Sequence, residues 1–139
     1  MSDPATTRGL LARYYEAFNA RDISGMLDCL HEDVAHDVNE GKREIGKEAF
    51  KQFLIHMNRC YRERLDAIEI MTNESGLRVA AEFVVHGEYL ATDSGLPEAR
   101  GQTYVLPAGS FFEIDDGLIS RVTLYYNLKD WIAQVSSSN

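Results

Sequence analysis

Only two cysteines occur in the 139 residues, Cys29 and Cys60. They are isolated and form no CxxC or zinc spacing, so a disulfide framework is excluded and buried, reduced thiols in a cytoplasmic protein are expected. No apolar run approaches the roughly 18 residues of a spanning helix. Met1 to Arg8 is polar and lacks the apolar stretch of a secretory leader. Basic residues are few: 14 Lys and Arg stand against 22 Asp and Glu, a net charge of -8. Nucleic-acid binding rests on phosphate neutralisation and is therefore not expected, nor is binding to anionic membranes. There is no GxGxxG, no P-loop and no nucleophile elbow, so no cofactor is implied.

What is present is an ordinary globular composition, 45% apolar and 26% charged, enough for one domain with a core and a small pocket. Order is expected from about residue 5 to 135. Leu10, Leu11, Tyr14, Tyr15 and Phe18 recur at helical spacing, with Thr6 or Thr7 as cap. A second helix follows Asp22, carrying Ile23, Met26, Leu27 and Leu30. Val34–Val38 reads as a strand, Asn39–Lys42 as its turn, and a third helix starts after Gly46. The second half changes period. Strands are expected at Leu65–Ile70, Leu77–Leu90, Gln102–Ile114 and Ile119–Asn127, separated by Asn73–Gly76, the polar loop Thr92–Arg100, read as a plain connection, and the hairpin signal Asp115–Gly117. Pro107 and Gly109 suggest a bulge or bend. Leu128–Val135 forms a last helical turn with Trp131. Helices followed by long antiparallel strands make an α+β domain: a strongly bent sheet around amphipathic helices, a cone with an open end.

Four stretches in this order carry a family resemblance: Arg13–Asp22 (RYYEAFNARD), His31–Asp37 (HEDVAHD), Ile45–Phe50 (IGKEAF) and Phe112–Val122 (FEIDDGLISRV). No one of them is specific; the ordered set resembles the NTF2-like or SnoaL-like superfamily, most closely its ketosteroid isomerase-related branch, over about Arg8 to Trp131. The resemblance implies a cystatin-like cone, a small apolar cyclic metabolite as partner, and a homodimer through the outer sheet face. This fold hosts isomerases, cyclases, dehydratases, hydrolases and binding modules, so it constrains architecture more than chemistry.

Asp37 occupies the position of the isomerases' general base, which moves a proton beside a ketone; an apolar pocket would raise its pKa for that task. Tyr14 resembles the phenol that holds the enolate oxygen. Ser110 stands where the isomerases place a second, protonated Asp, which favours cyclase-type chemistry over true ketosteroid isomerisation. Asn39 shares the face of Asp37. Phe18, Phe53, Met57, Phe83, Val85, Tyr104, Phe112 and Leu124 are the expected pocket lining, with Trp131 closing one end. His36 is expected on the outer face. A metal site would have to gather His36, His86 and Glu82 or Glu88; these lack a compact motif, and polar pairing on the outer face with Arg121, Thr123 and Tyr125 is the preferred reading. His56 is read as an exposed helix residue. The competing functional class is a non-catalytic ligand-binding or dimerisation module, in which Asp37 is held by hydrogen bonds and its pKa falls.

Overall fold

The computed structural model describes residues 3–137. Helix α1 (Pro4–Asn19) and the short α2 (Ile23–Leu27) lead into β1 (Leu30–Asp37) and β2 (Arg43–Ile45). Helix α3 (Lys47–Cys60) precedes four long strands, β3 (Tyr61–Thr72), β4 (Arg78–Tyr89), β5 (Thr103–Asp115) and β6 (Leu118–Tyr126), and α4 (Leu128–Ser136) ends the chain. The strands form one curled sheet in the order β2-β1-β6-β5-β4-β3. Every pairing is antiparallel except β1 with β6. The α+β cone is therefore observed.

Asp3, rather than Thr6 or Thr7, caps α1; its Oδ1 accepts from the Thr6 N–H at 2.8 Å. This leaves Thr7 free to turn inward, where its hydroxyl donates to the Gly76 carbonyl at 2.7 Å. Gly76 has φ +74, and a Cβ there would lie 2.5 Å from the Asp3 backbone. At the other end of α1, the Asn19 side chain donates to the Leu65 carbonyl (3.0 Å) and accepts from the Leu65 N–H (2.8 Å). The helix is thus pinned across the sheet at both ends. Its inner side buries Leu10, Leu11, Tyr14 and Tyr15, each at most 5% exposed. Asp22 caps α2 as expected, accepting from Gly25 N–H.

Three boundaries differ from the sequence reading. Leu30 opens β1 instead of closing α2, and Arg43–Ile45, which had no assignment between the expected turn and the third helix, pairs with β1. Strand β3 starts four residues early, at Tyr61, directly from α3. Its irregularity lies between Asp66 and Glu69, where Ala67 takes φ +51. That extra residue explains why Leu65 and Ile68 both face inward although three residues apart. By contrast, β5 runs past Pro107 and Gly109 in unbroken register with β4. Pro107 lies just beyond the last β6 pairing, at Ala108, so a missing donor does little harm there. Beyond that point the Gln134 side chain of α4 replaces β6, exchanging two hydrogen bonds with the Val105 backbone (2.9 and 2.8 Å).

Glu63, Gly87 and Tyr104 sit in one row across β3, β4 and β5. A Cβ on Gly87 would fall 2.2 Å from Tyr104 Cζ, so the phenol ring lies over the bare glycine and reaches Glu63. Gly87→Ala is expected to lower stability by roughly 1–3 kcal/mol. The double variant Gly87→Ala/Tyr104→Ala should lose less than the sum of the single losses, because the clash is then gone; urea unfolding checks this, and strict additivity would contradict the packing.

Candidate active site in the cone

A cavity of about 140 Å³ lies between the helices and the concave sheet face. Phe18, Phe53, Met57, Phe83, Val85, Tyr104, Ser110, Leu124 and Trp131 line it, as expected, together with Tyr14. Phe112 does not; it is 1% exposed and packs behind the wall, edge-on to Tyr14 and Tyr15. Asn39 is also off the wall, its Oδ1 accepting from the Tyr126 N–H at the end of β6.

The largest correction concerns Asp37. It points away from the cavity, into an ion pair with Arg43 (Oδ1 to Nε 2.6 Å, Oδ2 to Nη2 3.0 Å), and accepts from the Thr123 hydroxyl at 2.6 Å. These bonds, Arg43 foremost, hold its pKa down at about 2. A carboxylate so held is a structural anchor and a poor proton acceptor. The outer-face network continues through Arg121, which donates to Thr123 Oγ1 and Glu113 Oε2, both at 2.5 Å. The face assignment was off by one residue, and a one-residue slip exchanges the two sides of a strand.

His36 consequently faces inward. It is 4% exposed, lines the cavity, and packs against Phe50 and Phe53 (ring centroids 4.6 and 4.5 Å). Its Nδ1 has no hydrogen-bond partner among the described residues; Glu44 Oε1 is 4.0 Å away. Burial depresses its pKa to about 4, against the opposing pull of Asp37. His86 is on the opposite sheet face, 3.7 Å from Asp66, so the His36, His86 and Glu82 grouping is not brought together. The Tyr15 hydroxyl is a second buried, cavity-lining group with no hydrogen-bond partner among the described residues. Burial raises its pKa strongly, and the nearby Ser110 offsets only part of that. Burial raises Tyr14 as well. Unpartnered buried polar atoms each cost about 1–3 kcal/mol, and these two, one on α1 and one on β1, belong to residues lining the same cavity.

Two groupings escaped the sequence reading. Glu63 lines the cavity and accepts from the Tyr104 hydroxyl. Burial raises its pKa, while Tyr104 and Arg21 act the other way. Extending the alternation of Leu65 back by two would have placed it inward. The second grouping is His56, Cys60 and Asp93, whose ligand atoms lie within 4.8 Å of one another. His56 Nε2 is 2.8 Å from Asp93 Oδ1, and Tyr61 donates to Asp93 Oδ2 at 2.7 Å. The Arg59 guanidinium sits 3.0 Å from His56 Nδ1 and can only donate. Nδ1 therefore accepts, Nε2 carries the proton, and the lone pair a metal would need there is occupied. The grouping is a hydrogen-bond relay that ties the loop after β4 to the cavity wall at Tyr61, so this loop is more than a plain connection. Tyr89 reinforces it, donating to Pro97 O and accepting from Asp93 N–H.

A curled sheet closed over helices around a lined cavity defines the NTF2-like class. Residues 11–122 match the SnoaL-like domain, and the chain belongs to that family. No curated protein matches. Among solved structures, a "putative polyketide cyclase" from Xanthomonas campestris pv. campestris is 58% identical, with TM-score 0.93 over 96% of this chain and 99% of that one. Proteins described in the same words from Pseudomonas putida (57%, TM-score 0.92, 97% and 98% covered) and a Silicibacter species (56%, 0.94, 99% and 100%) are similarly alike.

The buried imidazole predicts a pH effect. Unfolded histidine takes up a proton near pH 6.5, whereas folded His36 does so only near 4. The unfolded state binds more protons in that window, so stability falls as pH drops through it, by up to about 3 kcal/mol. Urea titrations from pH 7 to 4 should show this loss in the wild type and a flatter profile in His36→Phe.

Proposed function

We propose that the protein is a small-molecule enzyme that abstracts a proton alpha to a carbonyl in an apolar, cyclic or polyketide-like substrate, as an isomerase or cyclase. The observation that carries this reading is the pair of unpartnered, buried polar groups, Tyr15 hydroxyl and His36 imidazole, on the wall of one cavity with Ser110. Tyr15 and Ser110 donate to the substrate oxygen, and Tyr14 stands beside them on the same wall. An unprotonated nitrogen of His36 takes the alpha proton, the role assigned from sequence to Asp37. The proton then returns to a different carbon, or the enolate attacks a second carbonyl of the same substrate and closes a ring, and the alkoxide formed from that carbonyl takes the proton back from His36. Hydroxyl donors in an apolar site stabilise that enolate. The near-identical folds described as polyketide cyclases support the cyclase form.

The test is alpha-proton exchange in heavy water, followed by NMR over a panel of steroidal and polyketide-like cyclic ketones. Exchange should fall 100-fold or more in His36→Phe, as loss of a general base requires, and should survive in Asp37→Asn. Loss in Asp37→Asn with retention in His36→Phe would reverse the assignment. A folded protein that exchanges none of the panel would favour the binding module.

The same proposal includes a homodimer. Phe111 and Tyr125 pack edge-to-face on the outer sheet face (5.8 Å) yet remain 45% and 59% exposed, with Val105 and Met71 also half exposed. Adjacent apolar side chains of this kind mark an association surface. Sedimentation velocity should give twice the chain mass for the wild type and the chain mass for Phe111→Asp.

A further inference from the structure

The cavity has a second polar end that the proton-transfer reading does not use. Tyr104, Leu106, Ala108 and Ser110 all line it from one strand. Six residues of strand separate Tyr104 from Ser110, about 20 Å at most along β5. Ser110 belongs to the end with Tyr15. Tyr104 belongs to the end with Glu63, where Tyr61, Tyr104 and Trp131 lie with ring centroids within 6 Å of Trp131.

At this end the hydroxyl protons of two tyrosines are committed. Tyr104 donates to Glu63 Oε2, and Tyr61 donates outward to Asp93. Arg21 is spent on backbone carbonyls, Nη2 to Asn58 O at 2.8 Å and Nη1 to Tyr61 O at 3.3 Å. Among the described residues only Tyr104 bonds the Glu63 carboxylate, leaving Oε1 without a protein donor in a cavity-lining side chain. Glu63 is half-buried, so this oxygen stays open to the cavity, where a ligand hydroxyl can take the place of water. Burial raises the Glu63 pKa, the Tyr104 hydrogen bond and the Arg21 charge oppose that rise, and the Arg21 charge works against a cationic donor in the same place. The aromatic walls favour a flat ring.

We infer that Glu63, presented by Tyr104 over the bare Gly87, is a specificity-determining carboxylate that accepts a hydrogen bond from a phenolic or enolic hydroxyl on a planar ring of the substrate. This deepens the reading of the cavity as a substrate site and is independent of which group takes the proton. The substrate is then oxygenated at two ends, with a carbonyl against Tyr15 and Ser110 and a hydroxyl against Glu63.

Calorimetric titration with 2-naphthol and 2-methoxynaphthalene at neutral pH tests it, since the two probes differ in the hydroxyl proton. Wild type should prefer 2-naphthol by roughly tenfold or more, the range of a hydrogen bond to a charged group. Glu63→Gln, with its fold checked by circular dichroism, should lose most of that preference and leave 2-methoxynaphthalene unchanged. Tyr104→Phe, which keeps the carboxylate, should retain it. Equal affinity of wild type for both probes, or a preference that survives Glu63→Gln, overturns the inference while leaving the cavity a ligand site. If neither probe binds wild type, the cavity reading fails and the inference with it; alpha-proton exchange then reports separately on the chemistry.

Discussion

A sheet curled this strongly cannot fill its own concavity. Something must enter it, and here α1 does, held across β3 by one side chain at each end. Thr7 reaches the β3–β4 turn and Asn19 bonds both backbone groups of Leu65. The two anchors set the depth at which Tyr14 and Tyr15 face the strands. They also leave a gap that the helix does not fill, between itself and the sheet. The cavity is what remains between them, and its floor follows β5 from Tyr104 to Ser110.

The parallel pairing of β1 with β6 has an equally direct effect. It brings an early strand beside the last one, so that His36 shares a concave surface with Ser110 although the two are far apart in the chain. On the convex side the same pairing joins Asp37 to Thr123 and, through it, to Arg121 and Glu113. One strand thus supplies a buried imidazole to one face and a satisfied carboxylate to the other. Their pKa values, both near the acid range, fall for opposite reasons: burial disfavours charge on the imidazole, and Arg43 favours charge on the carboxylate.

The fold was legible in the sequence because the change from helical to alternating period is strong and the turns at Asn73–Gly76 and Asp115–Gly117 are well marked. Most of the cavity lining followed from the same alternation. What failed was phase. Val34 and Val38 are apolar and place His36 on their own face, yet Asp37 was read inward because a family position argued for it. Glu63 was missed because β3 emerges from α3 without a turn, so no local signal announced its first four residues. The relay of Arg59, His56, Asp93 and Tyr61 joins a helix, a loop and a strand, and no spacing along the chain encodes that meeting.

The row of Glu63, Gly87 and Tyr104 has a consequence for how selectivity is stored in this cone. The residue that lets the phenol cross to the carboxylate contributes no atom beyond its backbone. A search for reactive side chains passes over it. Yet the smallest enlargement there would push Tyr104 aside and change which ligands fit that end, so the shape of the site is written partly in a hydrogen atom.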